Sequence, residues 1–154
     1  MGHLTIGANE AVEQGISLCK SGDWDEGLFC LKHILETTKN PEDLPAVFYS
    51  YLGYGIARKE NRVDEGLSLC KRAVELEFYE PANFLNLART CLLAKDREGA
   101  AEAVEEGLEL DPGNKSLQKI AKIIGTRKKP AISFLSRKNP LNKALGQLRH
   151  KLRK

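Results

Sequence analysis

A chain of 154 residues with 42% hydrophobic and 29% charged residues has the composition of an ordinary globular domain. It contains no apolar run long enough to cross a bilayer, and its N-terminus lacks the basic and apolar regions of a signal peptide. The formal net charge of +3 conceals a division along the chain, because all 21 acidic residues lie at or before Asp111. Residues 1–111 hold 11 basic residues and therefore carry −10, whereas residues 112–154 hold 13 basic residues and carry +13.

The cysteine and motif content points away from catalysis and metal binding. The four cysteines, Cys19, Cys30, Cys70 and Cys91, show no Cys-x-x-Cys pair or other zinc-ligand spacing. We expect buried free thiols in a reducing compartment, and therefore a cytoplasmic protein. There is no phosphate-binding glycine loop, nucleophile elbow or metalloprotease motif, so we expect a protein that is not an enzyme and needs no metal or cofactor.

Two helices are predicted before residue 40. The first runs from about residue 8 to residue 20 and ends at Gly22, since glycine favours the position after a helix C-terminus. Its predicted inner face carries Ala11, Gly15 and Leu18. Asp23 and Glu26 have the spacing of a capping box for a second helix. The apolar stripe of that helix consists of Trp24, Leu28, Leu31 and Leu35.

The stretch from Tyr49 to Leu76 predicts a pair of helices that approach each other closely. Large apolar residues three and four positions apart indicate a helix, and Gly53 among them leaves room for a neighbouring helix. Residues 59–62 are polar and break the pattern, which resumes at Gly66. The packing positions of this unit are Tyr49, Leu52, Gly53, Ile56, Gly66, Leu69, Cys70 and Ala73.

The same pattern returns after Pro81, which suits the first turn of a helix. Phe84, Leu87, Ala88 and Cys91 repeat the spacing of the central unit. Asp96 is the predicted N-cap of the following helix, which ends before Pro112. The small residues Gly15, Gly53 and Ala88 are separated by 38 and 35 residues, which is near the period of a helical repeat of about 34 residues.

In these residues the chain resembles the tetratricopeptide repeat family, whose pattern is Trp-x-x-Leu-Gly-x-x-Tyr, then Ala-x-x-x-Phe, then Pro. The resemblance implies an all-α, right-handed solenoid of helical hairpins, with repeats at about residues 8–41, 46–80 and 81–114. The apolar stripe of Leu117, Ile120 and Ile124 predicts a helix over residues 114–125 that covers the last hairpin. The predicted solenoid thus occupies residues 1–125.

The resemblance also implies a concave groove, lined by the first helices of the repeats, that binds a peptide or a helix. Transferred position by position, it gives a set of candidate groove residues: Val12, Ile16, Lys20, Ser50, Tyr54, Arg58, Leu85, Arg89 and Leu92. Some family members hold a terminal carboxylate with a clamp of Lys, Asn and Arg. Only Arg89 fits that clamp here, because Ile16 and Tyr54 stand where it requires Asn, so we expect no carboxylate clamp. The groove is expected to be apolar with a few basic residues, and Val12 and Leu85 could instead pack between repeats.

Residues 126–154 form a basic tail that the repeat pattern does not explain. Asn139 and Pro140 are typical of a helix start, so we predict a helix over residues 140–152. Its apolar face, which we predict to be a docking surface, carries Leu141, Leu145, Leu148 and Leu152. This face could dock on the protein's own groove or acidic flank or on a partner protein; the tail could also bind anionic membrane or nucleic acid, or remain a solvated arm.

These features predict a non-catalytic adaptor that binds a protein or peptide partner. In that hypothesis an apolar or amphipathic segment enters the groove, Tyr54 and Leu92 contact it, and Arg58 and Arg89 orient its acidic flanks. A competing hypothesis places the tail in the groove until a partner displaces it. The alternative function is an adaptor that its basic tail tethers to nucleic acid or to an anionic membrane.

Overall fold

A computed structural model of the protein describes residues 6–125, with side chains from residue 9 onward. The described part consists of seven α-helices and one 3₁₀ turn, and it contains no strand, in agreement with the predicted all-α class. The helices are α1 (Ile6–Ser21), α2 (Trp24–Thr37), α3 (Ala46–Lys59), α4 (Val63–Leu76), α5 (Pro81–Leu93), α6 (Arg97–Leu110) and α7 (Lys115–Ile124); the 3₁₀ turn is Pro41–Asp43.

The helices form a solenoid of three hairpins, in which α1 packs on α2, α3 on α4 and α5 on α6. Successive hairpins meet mainly through α3, which contacts α1, α2 and α5, and α7 covers the last hairpin by packing on α6 and α5. No helix within residues 6–125 has both the length and the apolar character that a bilayer span requires.

The turn inside each hairpin contains one residue in the left-handed region of backbone conformation. These residues are Gly22 (φ 101°), Asn61 (φ 57°) and Lys95 (φ 60°). Glycine takes this conformation at no steric cost and asparagine tolerates it, whereas a lysine there is strained. The sequence indicates the first of these turns by its glycine, and the third only by the following N-cap residue.

Helix starts follow the predicted capping residues in part. The Asp96 carboxylate accepts a hydrogen bond from the Gly99 backbone at 2.9 Å, and Pro81 is the first residue of α5, as predicted. Asp23 does occupy the N-cap of α2, but its side chain makes no capping hydrogen bond, so the predicted capping box is wrong. The Asp23 carbonyl instead accepts from the Gly27 backbone at 3.0 Å, which already starts the helix.

The core is centred on α3, in which 11 of the 14 residues are buried. Phe48 and Leu52 are completely enclosed, and Tyr49 and Ile56 lie beside them in the core that spans the first two hairpins. A second cluster joins the third hairpin to α7 through Leu117. Because α3 contacts four other helices, most of its surface is packed, and the positions of its buried side chains are fixed.

The inner face of α1 differs from the prediction. Val12, Ile16 and Cys19 are buried, whereas Ala11 and Leu18 are only partly buried. The reason is that α1 packs on α3 as well as on α2, so its buried stripe is turned toward the neighbouring hairpin. A prediction based on the hairpin alone could not include that second neighbour.

Buried polar side chains connect α3, α4 and α5. The Asn86 amide donates to Ser50 Oγ at 3.1 Å, and Ser50 Oγ donates to the Val47 carbonyl at 3.0 Å. Thr90 Oγ1 donates to the Asn86 carbonyl at 2.8 Å and lies 3.4 Å from Cys70 Sγ. Because buried polar groups need specific partners, this network fixes the register between the second and third hairpins.

Candidate functional site

The first helices of the three hairpins and α7 contribute to one cleft of about 280 Å³. Five predicted groove residues line this cleft: Lys20, Tyr54, Arg58, Leu85 and Arg89. The resemblance builds its predicted groove from the same three first helices. We refer to it below as the groove cleft.

Three aromatic rings lie together on one side of the groove cleft. Trp24, at the start of α2, stacks on Tyr51 with ring centroids 6.1 Å apart. The same indole meets the ring of Tyr54 edge to face at 4.9 Å. All three residues are at least nine-tenths buried, so packing holds the rings in place and only a small part of each borders the cleft.

Three basic side chains lie over these rings. Arg58 donates from Nη1 to the Tyr54 hydroxyl at 3.2 Å, and its guanidinium carbon lies 5.8 Å from the centroid of Trp24. The guanidinium carbon of Arg89 lies 5.4 Å from the ring centroid of Tyr54, and Lys20 Nζ lies 5.9 Å from that of Tyr51. These distances are within the range of cation–π attraction, which holds the charges near the rings.

Arg89 is additionally oriented from below by a buried amide. Its Nη1 donates to Asn86 Oδ1 at 3.3 Å, and Asn86 is itself fixed by its hydrogen bond to Ser50. The buried polar network between the hairpins therefore extends to a cation of the groove cleft. The position of Arg89 depends on the packing of α3 against α5.

None of the three cations of the groove cleft forms an ion pair with an acidic residue of the described chain. Within residues 6–125 the ion pairs are those of Lys32 with Glu60, Lys59 with Asp25, and Arg62 with Glu60 and Glu65. Lys20 and Arg58 are exposed and Arg89 is partly buried. The groove cleft therefore combines an aromatic surface with uncompensated positive charge.

Burial raises the pKa of the Tyr51 hydroxyl, and the positive charge of Arg89 opposes that shift only in part. A raised pKa means that the hydroxyl stays protonated at neutral pH. Tyr51 consequently contributes a neutral surface to the cleft and no negative charge that could compensate its cations.

The other predicted groove residues do not line the cleft. Val12 and Ile16 belong to the core, and Ser50 is completely enclosed in the polar network. Leu92 is partly buried against the core of the third hairpin. The apolar positions expected in the groove are thus used for contacts between hairpins, and the remaining surface is aromatic and cationic. Of the two residues that could have packed between repeats, Val12 does so fully, whereas Leu85 is 9% exposed and still borders the cleft.

Five lining residues are not among the predicted groove residues: Cys19, Gly22, Trp24, Tyr51 and Ser116. The sequence pattern assigns Trp24 to the apolar stripe of its helix and gives Tyr51 and Ser116 no role. The position of Trp24 at the start of α2 is a signal that indicates its place. In a stack of hairpins the start of α2 lies at the same end as the C-terminal ends of α1 and α3, which carry Lys20 and Arg58.

A larger hollow of about 470 Å³ lies between α2 and the end of α3. Leu28 and the 74% exposed Phe29 border it, together with the ion pairs of Lys32 with Glu60 and Lys59 with Asp25. Both of its lysines have ion-pair partners, which distinguishes it from the groove cleft.

The predictions for the basic tail, including the docking face of Leu141, Leu145, Leu148 and Leu152, concern residues outside the described part of the chain. Within the described part, no group of three or more histidine, cysteine, aspartate or glutamate side chains is arranged to hold a metal ion.

The thiols provide a test of the packing around the groove cleft. Burial raises the pKa of Cys70 to about 12 and those of Cys19 and Cys91 to about 11, which suppresses the reactive thiolate at pH 8. Cys30 is partly exposed. We expect one fast-reacting thiol with Ellman's reagent on the native protein and four after denaturation. Rapid reaction of two or more native thiols would contradict this packing.

No family model and no curated protein matches the sequence. Solved structures do resemble the fold. The first TPR domain of human RPAP3 superposes with a TM-score of 0.61 at 20% identity, over 76% of this chain and 88% of that one. The Arabidopsis OM64 TPR domain gives 0.60 at 14% identity, over 77% and 93%.

A third similar structure is the second TPR domain of human RPAP3 in complex with the HSP70 peptide SGPTIEEVD. It gives a TM-score of 0.58 at 18% identity, over 78% of this chain and 96% of that one. These likenesses show that the chain has the tetratricopeptide fold that the repeat pattern predicts.

Proposed function

We propose that this chain with a tetratricopeptide fold is a non-catalytic interaction module that binds a segment of a partner protein in the groove cleft. The observation that carries the proposal is the set of three cations without ion-pair partners over an aromatic surface in that cleft. Aromatic and arginine side chains are the residue types that most often dominate protein interfaces. Two similar domains are described with acidic peptides, SGPTIEEVD and SRMEEVD, which supports a peptide ligand.

The bound segment is expected to combine apolar and acidic residues. Its apolar side chains pack on Tyr54 and Leu85, which both line the cleft. Its acidic residues meet Arg58 and Arg89. We do not expect a Lys–Asn–Arg carboxylate clamp, because Ile16 and Tyr54 occupy the two positions that require Asn. Ile16 is buried, and the Tyr54 side chain contacts Arg58 and Arg89. Recognition therefore depends on acidic groups along the segment and does not require its C-terminal end.

The charge of the groove cleft disfavours the tail as its ligand. Residues 126–154 contain ten basic residues and no acidic residue, so they would bring further positive charge to Lys20, Arg58 and Arg89. Docking of the tail elsewhere, and tethering through it to nucleic acid or an anionic membrane, stay predictions from the sequence.

Peptides selected from a random library on the full-length protein should bind in the groove cleft and be rich in Asp and Glu. In titrations of isotope-labelled protein followed by NMR, we expect amide shifts in α1, α3 and α5 and at the starts of α2 and α7. Arg58→Glu should weaken binding at least about tenfold. The substitution removes a charge-assisted hydrogen bond and introduces a repulsive charge, which together cost more than about 1.4 kcal/mol.

Arg72→Glu is the matched control, because Arg72 also stacks on a tyrosine, Tyr49, at 4.7 Å but lies outside the groove cleft. It should leave the affinity unchanged. Selected peptides that shift only amides of α4 and α6, or that bind the Arg58→Glu protein as well as the wild type, would refute the proposal.

A further inference from the structure

We propose that the groove cleft recognises a phosphorylated side chain of the bound segment. This inference rests on the proposed function and names the chemistry of its ligand. The arrangement that points to it is a single tyrosine, Tyr54, that holds two guanidinium groups: Arg58 on its hydroxyl and Arg89 over its ring. The third cation, Lys20, lies over the ring of Tyr51, and Trp24 contacts both tyrosines.

Two guanidinium groups at one phenol repel each other, and neither has an ion-pair partner among the acidic residues of the described chain. Three basic residues outside the cleft surroundings do have ion-pair partners, namely Lys32, Lys59 and Arg62, with Lys59 Nζ 2.7 Å from an Asp25 carboxylate oxygen. Cation–π contacts and the Asn86 amide hold the arginines in place despite the repulsion. Such an arrangement is complementary to an anion that enters between the charges.

The number of charges favours a phosphate group over a single carboxylate. A carboxylate compensates one of the three cations, whereas a phosphorylated side chain carries about −1.5 to −2 at pH 7 and offers three acceptor oxygens. Arginine forks bind such oxygens in pairs, and lysine adds a point charge. Ser116, in the first turn of α7, also lines the cleft and carries a hydroxyl group that can donate a hydrogen bond.

The aromatic surface favours a phosphorylated residue of a peptide over free phosphate. Trp24, Tyr51 and Tyr54 line the cleft of about 280 Å³ beside the cations, and each exposes a small part of its surface there. The carbon atoms of a phosphorylated side chain can pack on that surface while its oxygens meet the cations. Inorganic phosphate can use only the charges and should bind more weakly.

Trp24 is the only tryptophan of the chain and lines the groove cleft. Tryptophan fluorescence therefore reports on the cleft, and the basic tail contributes no tryptophan signal. The full-length protein is titrated with N-acetyl-phosphotyrosine amide, N-acetyl-phosphoserine amide, N-acetyl-glutamate amide and inorganic phosphate at constant ionic strength. We expect a saturable fluorescence change with at least one of the two phosphoamino-acid amides. Its affinity should be at least tenfold higher than that of the glutamate amide or of inorganic phosphate.

Arg58→Gln and Arg89→Gln should each weaken binding of the phosphorylated amide at least tenfold, whereas Arg72→Gln should not change it. Circular dichroism of each variant checks that it is folded. If Arg89→Gln does not fold, Arg58→Gln alone tests the inference, because the Arg58 side chain is exposed. Equal affinity for the phosphorylated and glutamate amides, or unchanged binding by Arg58→Gln, would overturn the inference.

The same titrations separate this inference from the proposed function. If selected acidic peptides bind the groove cleft and phosphorylation of a serine in them brings no gain, the phosphate inference fails and the proposed function stands. If library peptides shift only amides outside the cleft, the proposed function fails, and the inference that rests on it fails as well.

Discussion

Replacing Gly66 with alanine is expected to lower the free energy of unfolding by about 2–3 kcal/mol, because the new methyl group has no space. A Cβ at Gly66 would collide with the backbone oxygen of Gly53 and lie 2.7 Å from the Cβ of Ala57. Neither neighbour is the flexible end of a long side chain, so α3 and α4 would have to move apart. The better helix propensity of alanine, about 1 kcal/mol, offsets only part of this cost.

Urea denaturation followed by circular dichroism measures the effect. Gly113→Ala is the control, since a Cβ there would lie 3.5 Å from an Asp111 carboxylate oxygen, an ordinary contact distance. That variant should remain within about 0.5 kcal/mol of the wild type. A Gly66→Ala protein as stable as the wild type would show that α3 and α4 do not approach at these glycines.

Truncating Phe48 to alanine should cost about 3–5 kcal/mol, the range for large aromatic residues in a packed core. Its side chain is completely enclosed and meets Tyr49 edge to face, with ring centroids 5.4 Å apart. The cavity would lie in the centre of α3, which also carries Tyr54 and Arg58. We therefore expect weaker peptide binding together with the loss of stability.

Phe78→Ala is the matched control, because Phe78 is 69% exposed on the connection between α4 and α5. It should change the free energy of unfolding by no more than about 0.5 kcal/mol. Chemical denaturation of both variants gives the comparison, and equal losses would contradict the placement of α3 at the centre of the core.

Capping and periodicity carried much of the fold prediction, since they depend on residues close in the chain. Residue spacing of three and four located the helices, and small residues at 53 and 66 located the close approach of α3 and α4. The Asp23 capping box failed because the matching residue types were present without the side-chain geometry. A motif of this kind shows that a cap can form, whereas the local backbone decides whether it does.

The groove was predicted less completely than the fold. Lys20, Arg58 and Arg89 were found because they follow the repeat spacing and their long charged side chains reach solvent. Val12 and Ile16 follow the same spacing and are nevertheless buried. Apolar side chains at these positions are removed from water wherever a neighbouring hairpin is close enough, and the sequence does not specify that distance.

The sequence by itself determined the helical hairpins, their period and the basic residues of the groove, because each of these is encoded within one repeat. Only the tertiary structure decided which residues of the same type are enclosed: Phe48 is completely buried, whereas Phe29 and Phe78 are 74% and 69% exposed. It also brought Trp24 from α2 against Tyr51 and Tyr54 of α3. Both results depend on the packing of one hairpin against the next, which involves residues distant in the chain.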